Sequence, residues 1–293
     1  MNRPIIEVRF YETYYFANVV QNILKDQFEF LGSLHEFFCD DQYFYLTKPY
    51  QRYSAFHSFL AFVIDGLLRD ATENVDIEER SSIAEKFKNI PGAIEDMQPT
   101  ALPIELALRH HGYDFETFDD WLSSKNISFH EATSDDIYEF LNDLRLSSAY
   151  EEFLTHSIRE VFFLLFRDRH VLLLFNDMVA GHISDSSLDD SPEDFLDYFS
   201  RSGVLKRAYM PDWVRRAVFY RDRGMCVSCR VDLSGLLNIW SEDHFDHIVP
   251  LERGGLNDVT NIQLLCATCN LRKSNGEGFT SISYEDWYPF EKD

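Results

Sequence analysis

Basic residues are scarce in this chain. Only 27 Lys+Arg stand against 50 Asp+Glu, a formal net charge of −23 at pH 7. Constitutive, salt-driven attachment to DNA needs lysine and arginine to displace counterions from phosphates, so the chain as a whole is not a general DNA-coating protein. Long hydrophobic runs are missing too. The apolar stretches Val161 to Phe166 and Val171 to Phe175 are separated by charges, and the opening MNRPIIEVRF lacks the pattern of a signal peptide. A soluble, cytoplasmic chain without membrane association is expected. No internal repeat and no low-complexity tract of consequence is present, which excludes solenoid and linker architectures.

With 293 residues, 45% of them hydrophobic, the chain can bury one large core or two medium ones, and two domains are expected. Charge is unevenly spread between them. From Arg201 onward 12 Lys+Arg meet 13 Asp+Glu, a net of −1, which leaves −22 for residues 1–200. Residues 9–37 mix aromatic and polar residues densely, whereas Ser54 to Ala71 carries apolar residues at three-and-four spacing, as a core helix does. Helical patterns also cover Ile77 to Phe87, Ser134 to Leu146 and Tyr150 to Leu165, interrupted at Pro91, Pro99, Pro103 and Gly112. The serines, acids and proline of Asp185 to Glu193 place a boundary near 185–208. Beyond it, Pro211 to Arg223 has proline where a helix can start and Gly224 where it can stop.

Of the five cysteines, four form two CxxC pairs, Cys226/Cys229 and Cys266/Cys269. In a chain without export signals such pairs point to structural zinc rather than disulfides, because two tight turns supply the four sulfurs of a tetrahedral site. The fifth, Cys39, is either a reactive thiol or, as free cysteines usually are, a small buried hydrophobe. The 36 residues between the pairs exceed the usual spacing of a zinc ribbon, so something is inserted. The insertion contains Asp246 and His247 at the end of a strand-like stretch, then Pro250, Gly254-Gly255 and Asn261, with Asn270 directly after the last cysteine.

This series, DHIVP, GG, NIQLLCATCN and RK, resembles the HNH, or ββα-metal, nuclease family over about a quarter of the chain. The resemblance implies a metal-dependent endonuclease with His247 as general base, since a histidine of reference pKa ~6.5 can take a proton from water at neutral pH. Asp246 and Asn270 would offer hard oxygen ligands to a catalytic Mg²⁺ or Mn²⁺ distinct from the zinc. Asn261 would tie the loop and hold His247 in place. Lys273 and Arg272, on one short helix with Asn270, would face substrate phosphate, the alternative being a solvated helix end. His244, two residues before Asp246, is read as supporting or merely exposed.

Lys206, Arg207, Arg215, Arg216, Arg221 and Arg223, interleaved with Trp213, Phe219 and Tyr220, either track a nucleic-acid backbone or belong to the packing and surface of the module. Residues 1–200 hold no comparable motif. RDRH at Arg167 to His170 is too closely spaced for the arginine-and-histidine signature of HEPN ribonucleases, and His57, His110 and His111 read as core or surface residues. The expected fold class is therefore α+β, mainly α: an acidic, mainly helical regulatory or interaction domain over 1–200, and an HNH nuclease domain with structural zinc over 206–293. The resemblance favours DNA as substrate and an anti-phage defence effector as the setting, with a regulatory protein partner docking on the acidic region or that region occluding the nuclease. Two other readings stay open: a zinc-stabilised, non-catalytic binding module, and an RNA-cleaving enzyme.

Overall fold

Thirteen α-helices, three short 3-10 helices and two small antiparallel sheets make up the regular structure of the described residues. The computed structural model describes residues 8–39, 42–87, 90, 100–187, 192–235, 244–273 and 276–284. The expected breaks at Pro91 and Pro99, and the middle of the 185–193 stretch, lie outside them. The helices are α1 (Val8–Lys25), α2 (Leu31–Phe38), α3 (Tyr43–Leu46), α4 (Ala55–Glu73), α5 (Ile77–Phe87), α6 (Pro103–His110), α7 (Phe118–Ser124), α8 (Ser134–Arg145), α9 (Ser148–Leu165), α10 (Arg169–Ser184), α11 (Glu193–Leu196), α12 (Asp212–Arg221) and α13 (Ala267–Lys273). Strands β1 (Phe199–Arg201) and β2 (Val204–Leu205) form one hairpin, and β3 (Phe245–His247) pairs with β4 (Ile262–Leu264). The mainly α character with a small β part is as the sequence leads one to expect. No helix among the described residues is long and apolar enough to cross a membrane.

The chain divides into two compact units, one of Met1–Asn18 with Leu60–Val161, the other of Val19–Phe59 with Phe162–Asp293. In the first, local chemistry fixes the helix starts. Pro103 opens α6, where its missing N–H costs nothing. Thr117 caps α7, and Thr133 with Asp136 closes a capping box on α8. Phe118, Trp121, Phe140 and Phe153 fill the interior, and Asp65 accepts from Arg145 and from the Tyr150 hydroxyl at 2.7 Å.

In the second unit Asp168 caps α10 by accepting from the His170 and Val171 amides. The cysteine-bearing C-terminal region has its own core of Val214, Val218, Phe245, Ile262, Leu264 and Leu265, which Tyr50 joins from far upstream. The joining is backbone-deep. Tyr50 N–H donates to the Asn257 carbonyl at 2.8 Å, and the Asp258 carboxylate caps α4 by accepting from Ala55 N–H at 3.0 Å. Arg169 reaches from the start of α10 to the carbonyls of Ser281 and Ser283 and pairs with the buried Asp222. The second arginine of RDRH, Arg169, is thus a clamp, 5% exposed.

Candidate active site and zinc centre

The β3–β4 pair sets Asp246 opposite Gln263 and His247 opposite Ile262. Between β3 and β4 residues 248–261 turn the chain back, and Gly254 and Gly255 permit its tightest bend. Gly254 has φ +82°, and a side chain there would meet the Ala180 carbonyl; a Cβ on Gly255 would lie 2.0 Å from the Val249 carbonyl oxygen. Asn261 closes the loop. Fully buried, its amide accepts from Val249 N–H at 2.8 Å and donates to the carbonyls of Val249 and Leu256 at 3.0 and 2.9 Å.

Asn257 and Asp258 were not singled out from the sequence. Asn257 accepts from Ala208 N–H and donates to the Lys206 carbonyl, fixing the segment after β2 that carries Lys206 and Arg207. Asp258 also accepts from the Thr260 amide and hydroxyl. Their one sequence signal is their place just past the double glycine, with only Leu256 between, where Asn and Asp commonly organise a turn.

Asp246, His247 and Lys273 come together in a cleft of about 430 Å³ whose lining includes Lys206, Arg207 and Glu252. Lys273 Nζ donates to Asp246 Oδ2 at 2.8 Å and to the His247 carbonyl, and its side chain is only 3% exposed. Although Leu271 and Arg272 at the end of α13 are exposed, the helix turns its last lysine inward to the acid of β3. Asn270 lies one turn before Lys273 and is half-buried, while Arg272 is exposed; neither lines the cleft. The His247 ring is buried, and burial first, then the positive charge of Arg207, brings it down to about 3 against the opposing hydrogen bond with Asn257. The imidazole is accordingly neutral at physiological pH, and its Nε2 is buried without a hydrogen-bond partner. His244 is half-buried, with Nδ1 3.2 Å from the Leu265 carbonyl.

Sγ atoms of Cys226, Cys229, Cys266 and Cys269 lie within 4.8 Å of one another, with Cys229 and Cys266 3.7 Å apart. Zn–S bonds of about 2.3 Å in a tetrahedron place sulfurs roughly 3.8 Å apart, so the set fits zinc. The thiolate form of the set needs a cation. Burial raises Cys226, but the backbone amides of Cys229, Cys266 and Ser228 outweigh it and bring the thiol to about 7, whereas burial and the adjoining sulfurs push Cys269 up to about 12. Four thiolates coexist here only around positive charge. Cys39 stands apart, half-buried, its thiol on the Glu36 carbonyl.

The basic cluster separates into two groups. Arg215 and Arg221 are buried, paired with Asp212 and Asp222, and Trp213 and Phe219 pack on the module core. Lys206, Arg207, Arg216 and Arg223 remain exposed, as does Tyr220.

Two strands, one helix and a four-cysteine centre define the class: a zinc-stapled ββα module carried by a helical chain. Residues 226–276 match the family model described as HNH endonuclease, so the chain contains an HNH endonuclease domain, a domain of nuclease type. No curated protein and no solved structure matches the chain.

Proposed function

We propose that this protein is a metal-dependent HNH endonuclease that hydrolyses phosphodiester bonds of DNA. The observation that carries the reading is the cleft itself, where a neutral His247 with an unpartnered nitrogen lies beside the Asp246–Lys273 pair under exposed Lys206 and Arg207. A non-catalytic zinc module has no need to bury an unpaired imidazole nitrogen, which costs stability. His247 is the base that takes a proton from the attacking water. Asn261 positions it by fixing the loop that follows β3. Asp246 and Asn270 would hold Mg²⁺ or Mn²⁺, whose hard-oxygen preference suits a carboxylate and an amide carbonyl; bound there, the ion supplies charge neutralisation at the phosphoryl oxygens and acidification of water. Lys273 balances Asp246 and, with Arg272, Lys206 and Arg207, supplies positive charge for the substrate phosphates.

The acidic character of residues 1–200 supports a regulated role, such as an anti-phage effector controlled through a protein partner; protection of an expressing host that vanishes in His247→Ala tests it. The nuclease reading is tested by incubating the full chain and His247→Ala with plasmid, linear duplex and structured RNA, with Mg²⁺, Mn²⁺ or EDTA. Expected is duplex cleavage that needs the metal and falls at least about 100-fold in the variant, the lower range for loss of a general base. Cleavage of RNA alone overturns the choice of DNA. Absence of metal-dependent cleavage overturns the mechanism and favours the binding module, whereas equal rates in His247→Ala overturn His247 as the base.

A further inference from the structure

Outside the nuclease region, within the unit of Met1–Asn18 and Leu60–Val161, three residues distant in sequence meet. His111 follows α6 directly, and His156 and Glu160 lie on α9 at i,i+4 spacing, which puts both on one helix face. One donor atom from each of the three is within 4.8 Å of the other two, and His156 Nε2 is 2.9 Å from Glu160 Oε1. The His111 ring stands edge-on to Phe153 and to the His156 ring, at 5.1 and 6.0 Å between centroids. Its side chain is 2% exposed.

Hydrogen bonding does not account for this arrangement. His111 Nε2 and Glu12 Oε2 are buried 3.3 Å apart, an ion pair only when the imidazole is protonated, and neither makes a hydrogen bond. With the imidazole neutral, each is left unsatisfied at a cost of about 1–3 kcal/mol. The carboxylates are meanwhile held by their other oxygens, Glu12 by His110 Nδ1 at 2.6 Å and Glu160 by the Thr13 hydroxyl at 2.7 Å. Groups that ligate a metal are oriented in the same way by partners outside the ligand shell. A cavity of about 620 Å³ opens beside His156 and Glu160, with Tyr113 and Glu152 also in its wall.

We propose that His111, His156 and Glu160 form a second metal site, separate from the four cysteines, for a divalent transition ion of the zinc class. Two imidazoles with one carboxylate select such ions over Mg²⁺ and Ca²⁺, which take oxygen ligands. Donors on a tetrahedral shell of ~2.1 Å bonds lie roughly 3.4 Å apart, so small side-chain rotations close the set around an ion. Three protein ligands beside an open cavity leave one position for water or a small anionic ligand. The bound ion joins α9 to the turn after α6.

The test is calorimetric titration of Zn²⁺ into the full chain already carrying one equivalent, for the wild type and for His156→Ala, Glu160→Gln and His111→Asn. His156 is 46% exposed, so its replacement leaves the core intact, and circular dichroism checks the fold of each variant. The wild type is expected to take a second equivalent, bound at least about tenfold more weakly in every variant, the lower end of what even an outer-shell partner contributes. Absence of a second equivalent in the wild type, or unchanged affinity in His156→Ala and Glu160→Gln, overturns the proposal and leaves a hydrogen-bonded cluster only.

Discussion

Replacing Asn261 by alanine should loosen the nuclease loop far more than the loss of one small side chain implies. The amide satisfies three backbone groups, the N–H and carbonyl of Val249 and the carbonyl of Leu256, and none of them can turn to water because Asn261 is fully buried and Val249 and Leu256 are each 1% exposed. An orphaned buried group costs about 1–3 kcal/mol, with carbonyls at the lower end. The three together amount to roughly 3–5 kcal/mol, a large part of an ordinary stability of about 5–15 kcal/mol. Since about 1.4 kcal/mol is tenfold in an equilibrium constant, hydrogen-exchange protection of the amides in 245–265 should fall by roughly two to three and a half powers of ten. Asn261→Asp should do no better, because it keeps the acceptor for Val249 N–H but sets a carboxylate against two carbonyls. Protection within tenfold of wild type in Asn261→Ala would refute the reasoning, and with it the view that this amide positions His247.

Two further predictions follow from the packing of the same region. Cys229→Ala, or removal of zinc by a strong chelator, should unfold the nuclease module, since the ion's binding energy is folding energy; zinc content by elemental analysis should fall together with near-ultraviolet circular dichroism, and a folded zinc-free module would count against a structural centre. A fragment beginning near residue 205 should not fold, because it lacks Tyr50, Ala55 and Arg169, the partners of Asn257, Asp258 and Asp222; a dispersed amide spectrum from that fragment would contradict this, and would make it the reagent for testing autoinhibition by the acidic region.

Local patterns made several elements legible. Helix α4 begins at Ala55 beside the expected Ser54, α5 spans the expected residues, and α8 and α9 differ from expectation by a residue or two at their ends, because apolar periodicity and end-capping act over a few neighbours. Helix α1 was hidden. Its buried residues Thr13, Phe16, Ala17, Val20 and Leu24 keep helical spacing, but exposed Phe10, Tyr11, Tyr14 and Tyr15 obscure the stripe. Helix α10 buries Val171, Leu172, Phe175, Val179 and Ile183 at helical spacing, but the unbroken apolar run Val171 to Phe175 and the buried Asn176 mask that face in the sequence.

The sequence by itself determined the cysteine pairs, the DH step, the double glycine and Asn261, since each answers to a short-range requirement of turn geometry or ligand spacing. Only the tertiary structure decided where charge goes. It turned Lys273 onto Asp246, buried Arg215 and Arg221 against carboxylates while leaving Lys206 and Arg207 in the open, and brought residues as remote as Ala55 and Arg169 to hold the nuclease region. It also set His111 against His156 and Glu160, which no local spacing reveals. Long-range placement of polar groups follows from which of them the core can satisfy or must leave exposed, and that is known only once the helices have packed.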